Sequence, residues 1–360
     1  MTSASPSSAR PVAIWLLVCC AMIFAMVIIG GVTRLTESGL SITEWKPIEG
    51  AIPPLTEQAW QETFEKYQQI PEYQLLNEGM TLAEFKNIFW WEYVHRLWGR
   101  LIGFVFFVPL VWFVVRGHVR GRLAWQLGGI FVLGGLQGAL GWYMVQSGLA
   151  DRVDVSPYRL TAHFGLAIAI YAATLWTALD LLRPALAGRT TSRRGLGPAS
   201  LAFCALVFVT MLSGGFVAGL DAGFTYNTFP LMDGRLIPAG YLDEQPWWLN
   251  LFENVAAVQF NHRLLAVATL AAALGLWRAT RTAPQPAVRT LGNAVAAMAL
   301  VQVALGISTL LLVVPIPLAA AHQGGAVIVF SLALALAHEA RRAAFMPQRA
   351  MATSPTPQTS

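Results

Sequence analysis

The chain has 360 residues, of which 56% are hydrophobic and only 12% are charged, and its formal net charge is +5. Soluble domains average about a quarter charged residues, so this composition excludes an ordinary soluble protein and indicates several membrane spans. The basic residues do not form one patch, so the positive charge indicates membrane topology rather than nucleic-acid binding.

Eight apolar segments are long enough to cross a bilayer, which takes about 20 helical residues. We predict spans at 12–32, 93–115, 123–145, 160–182, 199–219, 258–278, 290–314 and 319–338. The first is too long for the apolar region of a signal peptide, so we expect it to be retained. Cys19, Cys20 and Cys204 lie within these segments and are expected to be buried apolar residues rather than a disulfide framework.

Arginines near the span ends predict the orientation, because positive charge collects on the cytoplasmic side. One side is expected to hold only two acids, Asp180 and Glu339, together with Arg10, Arg116, Arg120, Arg122, Arg183, Arg189, Arg193, Arg194, Arg278, Arg281, Arg289, Arg341, Arg342 and Arg349. Both termini are therefore predicted to be cytoplasmic. A bacterial inner membrane is favoured over a mitochondrial one because no Arg-rich transit peptide is visible.

Two long loops, 33–90 and 220–257, are predicted on the outer side, the second mirroring the first. Thr81-x-x-Glu84 has the form of a capping box and predicts a helix start. Several tryptophans are typical of a helix that lies at the membrane interface and then turns into the membrane, namely Trp45, Trp60, Trp90 and Trp91.

Sequence repeats divide the chain into two similar halves. Three motifs recur: Gly30-Gly31-Val32 as Gly214-Gly215-Phe216-Val217, His95-Arg96-Leu97 as His262-Arg263-Leu264, and Leu136-x-x-Ala139-Leu140-Gly141 as Val301-x-x-Ala304-Leu305-Gly306. We therefore predict an all-α integral membrane protein whose eight transmembrane helices form two similar, parallel four-helix bundles. The predicted division is an N-terminal tail 1–11, an N-terminal half 12–182, an inner linker 183–198, a C-terminal half 199–338 and a cytoplasmic tail 339–360.

Four histidines lie near the outer ends of even-numbered spans: His95, His163, His262 and His322. At 1.5 Å per residue each imidazole would lie about 7 Å below the outer end, so all four share one depth near the outer, periplasmic face. Any one alone is equally well a structural residue, but ionisable groups in spans rarely lack function. Because neutral imidazole is a good axial ligand for iron, and no carboxylate or thiolate accompanies the second pair, we predict one haem-sized site per bundle. His118 and His338, toward the inner side, are predicted to be solvated.

Glu92 lies one helical turn before His95, and Gln259 takes its place in the second half. It is either an interfacial acid at a helix N-terminus or an acid/base or charge-stabilising group beside a reacting porphyrin. The functional interpretation predicts that one site does chemistry and the other only transfers electrons. Arg96 and Arg263 are either interfacial anchors or partners of haem propionates. Small residues near the histidines would admit a flat macrocycle or allow close helix packing: Gly99, Gly103, Gly165, Gly324 and Gly325.

Over about residues 14–340 the chain resembles the haem A synthase family. The motifs that carry the resemblance are Gly30-Gly31-Val32-Thr33-Arg34-Leu35-Thr36-x-Ser38-Gly39-Leu40-Ser41, Glu92-x-x-His95-Arg96, Ala162-His163, Asn227-x-Phe229-Pro230-Leu231-Met232-x-Gly234, Asn261-His262-Arg263 and Ala321-His322-Gln323. The resemblance implies an oxidoreductase that converts the methyl group of haem O at ring position C8 into a formyl group, with water as the oxygen source. The product, haem A, serves cytochrome oxidase biogenesis.

The resemblance also implies roles for the histidines. His262 and His322 would be axial ligands of a resident haem b, while His95 and His163 would hold the substrate haem, with Glu92 as a catalytic candidate. Implied surroundings and partners are the lipid bilayer, haem O synthase and cytochrome oxidase assembly factors. A quinone is one candidate electron acceptor, and a homo-oligomer is compatible with the resemblance.

The chain departs from this family pattern in its cysteines. Many members carry cysteine pairs in the outer loops, whereas 33–90 and 220–257 contain none, so no thiol step is expected.

The alternative function is a di-haem membrane cytochrome b-type electron-transfer protein, which would also need two histidine pairs. A transporter is a third hypothesis, but the spans lack the midplane helix breaks that transporters commonly use.

Overall fold

The computed structural model describes residues 6–46, 49–151, 153–182 and 195–344. Its α-helices are α1 (Pro6–Leu35), α2 (Glu57–Tyr67), α3 (Pro71–Leu75), α4 (Leu82–Val115), α5 (Gly121–Asp151), α6 (Pro157–Leu182), α7 (Leu196–Gly219), α8 (Val255–Thr280), α9 (Pro286–Leu311) and α10 (Ile316–Ala344). Within these residues eight helices, all except α2 and α3, are long and apolar enough to cross a membrane, which confirms the predicted spans. The predicted orientation stays a prediction, and several of its arginines lie outside the described residues: Arg183, Arg189, Arg193, Arg194 and Arg349.

The eight long helices form two rings of four. In one ring α1 packs against α4, α4 against α5, α5 against α6 and α6 against α1. In the other ring α7, α8, α9 and α10 follow one another in the same way. The rings meet through their first and last helices, with α6 on α7, α10 on α1 and α6 on α10. The boundary predicted at 183–198 stays a prediction, since residues 183–194 lie outside the described residues.

Glycines set the two equivalent contacts between the rings. A Cβ on Gly165 of α6 would lie 2.8 Å from Leu212 of α7. A Cβ on Gly324 of α10 would lie 3.2 Å from Ile28 of α1. Small residues let helices approach closely in membranes, where water supplies no hydrophobic force between them. The contact of α6 with α7 and the contact of α10 with α1 are therefore of the same kind, since a glycine allows the close approach in each.

The first long loop folds into a small cap, named the outer cap after its predicted side of the membrane and formed by α2, α3 and the N-terminal end of α4. Thr81 and Glu84 form the predicted capping box, with Thr81 N donating to Glu84 Oε2 over 2.8 Å. From there α4 runs uninterrupted to Val115, so the prediction of an interfacial helix that then turns was wrong. The apolar face of its outer end packs on α2 and α3 instead of on lipid, burying Leu40, Trp60, Phe64, Tyr67, Ile70, Phe85, Phe89 and Tyr93 together.

The second long loop differs from the first more than predicted. Its described helical parts are two short 3-10 turns, Ala222–Phe224 and Trp247–Leu251. Asparagine side chains organise it: Asn250 Nδ2 donates to Glu244 O over 2.9 Å, and Asn254 Nδ2 donates to Gly240 O over 2.6 Å. The two loops are equivalent only at their starts, beside α4 and α8.

His338 contradicts its predicted solvated position. The residue is 2% exposed, and its Nε2 lies 2.8 Å from Asp180 Oδ1 at the inner end of α6. Its ring packs edge-on against Trp176. His118 is half-buried against Trp112 and Phe113. An apolar sequence does not show which helix face meets the other ring, so the burial of His338 was not visible in it. The three cysteines are buried, as expected.

Glu72 is an unusual buried acid in the outer cap. It is 4% exposed, and its Oε2 has no hydrogen-bond partner in the described part of the chain. Burial, followed by the charges of Glu92 and Glu37, raises the pKa of Glu72 from its ordinary 4.5 to about 8. The folded cap therefore binds this proton more tightly than the unfolded chain does. The stability that this bound proton contributes is fully present below pH 4.5 and is lost as the pH rises toward about 8.

We expect Glu72→Gln to remove most of this pH dependence, because an amide does not ionise. The measurement is hydrogen exchange of residues 57–75 in nanodiscs between pH 5 and pH 8.5, expressed as protection factors. Glu57→Gln is the control, since the Glu57 side chain is 77% exposed and should leave the wild-type dependence unchanged. Equal pH dependence in Glu72→Gln and the wild type would contradict the expectation.

Candidate functional site

Each of the four site histidines lies against a glycine of the neighbouring helix. His95 of α4 lies on α1, His163 of α6 on α5, His262 of α8 on α7 and His322 of α10 on α9. A Cβ added at Gly30 would lie 3.1 Å from the His95 ring, and one at Gly141 would lie 2.9 Å from the His163 ring. The corresponding distances are 3.2 Å from Gly214 to His262 and 2.8 Å from Gly306 to His322. Only glycine leaves room for these rings, so the helix spacing at this level depends on them.

Within each half the two histidines lie near one another. The side chains of His95 and His163 are close enough to interact electrostatically, as are those of His262 and His322. In the described residues no group of three or more His, Cys, Asp or Glu side chains is placed to hold a bare metal ion. The arrangement is therefore one pair of neighbouring imidazoles per half.

The glycines highlighted from the sequence serve mainly in helix packing. A Cβ on Gly99 would meet Met26, and one on Gly325 would meet Gln302, while Gly165 and Gly324 form the contacts between the rings. Gly103 faces open space. The glycines that contact the imidazoles were missed, although they stand in the repeated motifs. A search for glycines that recur in both halves would have found them.

In the second half a hydrogen-bond chain links His262 to the backbone of α7. Ser213 Oγ donates to Thr210 O over 2.8 Å and lies 2.7 Å from His262 Nδ1, where the ring tautomer decides which atom donates. With the hydroxyl hydrogen on Thr210 O, Nδ1 would carry the imidazole hydrogen and Nε2 would keep its lone pair for a metal. Ile29 corresponds to Ser213 in the first half and has no acceptor to offer.

Matching glutamines support the other two histidines. Gln137 Nε2 lies 3.1 Å from His163 Nδ1 and donates to the backbone carbonyl of His163 over 3.0 Å. Gln302 repeats both contacts with His322, at 3.1 and 2.8 Å. The sequence reasoning missed these glutamines, which stand at corresponding positions in the duplicated helices. Each ring is thus held in orientation by the helix that precedes its own.

Glu92 is buried, and its carboxylate has four hydrogen-bond donors. Ser41 Oγ and Ile42 N each donate to Oε2 over 2.7 Å. Arg96 Nε and Nη2 donate to Oε1 over 3.0 and 2.5 Å. These four bonds occupy the four lone-pair positions of a carboxylate. The group therefore joins α4 to the start of the outer loop.

The second half repeats this junction without the carboxylate. Arg96 donates to the backbone carbonyls of Ile42 and Glu44. Arg263 donates to the backbone carbonyls of Tyr226, over 2.6 Å, and Thr228, over 2.8 Å. Gln259 Nε2 donates to Ala222 O over 2.7 Å, and Gln259 Oε1 accepts from Arg263 over 3.2 Å. Both arginines bind the loop backbone, which the sequence did not reveal. Arg263 keeps one buried donor, Nε, that has no partner among the described residues.

The fold and the site together define a class: an eight-helix membrane protein with one pair of neighbouring histidines in each of two similar halves. The family model COX15-CtaA, described as cytochrome oxidase assembly protein, matches residues 13–334, and the chain belongs to this family. A protein of Nitrosospira multiformis named Heme A synthase is 56% identical over 339 residues, which cover 92% of this chain and 94% of that relative. One of Rhodospirillum centenum with the same name is 58% identical over 329 residues, covering 91% and 88%.

We expect Glu92→Ala to loosen residues 36–46, because it leaves Arg96 and two loop donors without their acceptor. Removing one partner of a buried ion pair costs about 3–5 kcal/mol. Glu92→Gln should cost less, since Gln259 shows that a glutamine fits beside an arginine at this junction. Hydrogen exchange of residues 36–46 measures the effect. Wild-type protection in Glu92→Ala would show that the carboxylate does not hold the loop.

Proposed function

We propose that this chain is a haem A synthase, a multi-pass inner-membrane oxidoreductase that converts haem O to haem A. The observation that carries the proposal is the duplicated histidine pair, in which the second half is prepared to hold iron and the first half differs from it. Two changes mark the difference: Glu92 stands where the second half has Gln259, and Ile29 where it has Ser213. Membership of the family and the names of the relatives support the same function.

The residues of the second half fit a resident haem b. His262 would present an Nε2 lone pair with the hydrogen on Nδ1, and His322 lies close enough to interact with it electrostatically. We propose His262 and His322 as the axial ligands and Arg263, through Nε, as a donor to a propionate. Haem b, when bound, would supply a reversible one-electron carrier near the outer face.

In the first half we propose that His95 and His163 hold the substrate haem O by its iron. The reaction is R–CH₃ + H₂O → R–CHO + 4 H⁺ + 4 e⁻, with water as the oxygen source and an external electron acceptor, for which a quinone is our candidate. The electrons leave by way of the second half. Haem O synthase is our candidate for the supplier of the substrate.

Glu92 has a particular role in this proposal. All four of its lone-pair positions accept hydrogen bonds, so it is not placed to take a proton from the substrate directly. We propose that it acts as a charge stabiliser, whose carboxylate offsets the positive charge of Arg96 beside the site where further positive charge develops as electrons leave. Arg96 serves it as a positioning residue. A cytochrome b-type protein with two permanent haems would have no use for this one-sided charge.

The test is haem extraction from cells that produce this chain together with a haem O synthase, followed by chromatography. We expect haem A beside haem B and haem O. If only haem B and haem O appear, the proposed function is wrong. Two stable haems B in the purified protein would favour the di-haem electron-transfer alternative.

Glu92→Gln should keep haem b but lower haem A formation by roughly tenfold or more, because it removes the charge and keeps the shape. Glu44→Gln is the control, since that acid is about half exposed and pairs only with surface lysines. Its haem A yield should stay close to the wild-type yield. Full haem A production by Glu92→Gln would remove Glu92 from the mechanism.

Ser213→Ala should weaken the binding of haem b, because it removes the acceptor of the His262 Nδ1 hydrogen. Loss of such a partner typically costs 10–100-fold in metal affinity. The measurement is the rate of haem b transfer to apomyoglobin from the purified protein. Ser331→Ala is the control, since its hydroxyl contacts Tyr171 and not a site histidine. An unchanged transfer rate in Ser213→Ala would contradict the assigned tautomer.

A further inference from the structure

Two adjacent glycines on α1 connect the halves at the level of the histidines. Gly30 lies against His95 of its own half. Its neighbour Gly31 lies against the side-chain amide of Gln323, which comes from α10 of the other half and directly follows His322. One glycine pair therefore lies between the two sites and contacts a group belonging to each.

The repeated glycine pair on α7 makes the corresponding contacts with different chemistry. Gly214 lies against His262, and a Cβ on Gly215 would lie 2.9 Å from Thr161 Oγ1 on α6, two residues before His163. The Thr161 hydroxyl is buried and has no hydrogen-bond partner in the described part of the chain. This second contact is therefore made by packing alone.

Of these two glycine-pair contacts, only the one on α1 contains a hydrogen bond between the halves in the described part of the chain. Other hydrogen bonds between the halves, such as that of Tyr171 with Ser331, lie away from the glycine pairs. Gln323 Nε2 donates to Val27 O, one turn before Gly31, over 3.0 Å. The corresponding residue of α6 is Phe164, which has no such donor. This hydrogen bond therefore joins α10, which carries His322, to α1, against which His95 packs.

We propose that Gln323 is a positioning residue for electron transfer between the two sites, an inference that rests on the proposed function. Oxidation of one methyl group and one water to a formyl group releases four electrons and four protons, two of the protons from the methyl group and two from the water. Haem b, held by His262 and His322, would supply a one-electron carrier between the first-half site and an acceptor of the quinone class. Gln323 fixes α10 against α1 and thereby the separation of the two haems.

The test compares purified, haem b-containing wild type with Gln323→Met, which keeps the length of the side chain but has no N–H donor. Thr161→Val is the matched control at the packing-only contact. Oxidised protein is mixed anaerobically with haem O, and reduction of haem b is followed by its visible spectrum. Haem b content and the low-spin electron paramagnetic resonance signal report separately on the His262 and His322 ligation.

We expect Gln323→Met to keep haem b and its low-spin signal but to reduce haem b at least threefold more slowly. Thr161→Val should stay within about twofold of the wild type. Gln323→Asn, whose amide is too short to reach Val27 O, should behave like Gln323→Met and replaces it if that variant does not fold. Wild-type reduction rates in both variants, or loss of the haem b signal in both, would overturn the inference. If the wild type itself shows no reduction and no haem A, the proposed function fails and this inference falls with it.

Discussion

The spacing of the helices around both sites depends on one kind of contact, in which an imidazole ring packs against a glycine of the neighbouring helix. Four such contacts, between His95 and Gly30 and at the three related positions, fix the spacing of four neighbouring helix pairs. A Cβ at any of these glycines would lie 2.8–3.2 Å from a ring atom. Polar groups within a bilayer are costly unless they are partnered, so rings held this tightly at one level indicate a site rather than incidental polarity. The pairing of the imidazoles within each half then follows from the order of the helices in each ring.

The two halves have the same arrangement of four helices, and they differ at a few residues around the histidine pairs. Ser213 prepares His262 to bind metal, whereas Ile29 leaves His95 without that support. Glu92 brings a buried charge to the first half, where the second half has the neutral Gln259. A resident cofactor benefits from a ligand held in one state, while a substrate must enter and leave. The direction of these differences therefore agrees with a permanent haem in the second half and an exchanged one in the first.

Much of this architecture was predictable because it depends on composition and on repeats. The length of the apolar segments defined the eight spans, and the recurrence of His-Arg paired His95 with His262 across the halves. The partners of Glu92 were not predictable, since Ser41 and Ile42 are joined to it by the fold of a loop some fifty residues away.

The sequence did not predict that the outer cap has a small apolar core of its own, for a related reason. A short amphipathic helix rich in tryptophan has the same pattern whether it faces lipid or a small protein core, and Trp60 proved to face the core. His338 shows the same limit inside the membrane, where the sequence does not distinguish a helix face in contact with lipid from one in contact with protein.

The central claim is that the second half holds the permanent haem b and the first half holds the substrate. Visible spectra of the purified wild type, His262→Ala and His95→Ala test it most directly. We expect the haem b absorbance to disappear in His262→Ala and to persist in His95→Ala. Loss of haem b in His95→Ala with retention in His262→Ala would reverse the assignment, and equal loss in both would contradict the separation of the two sites.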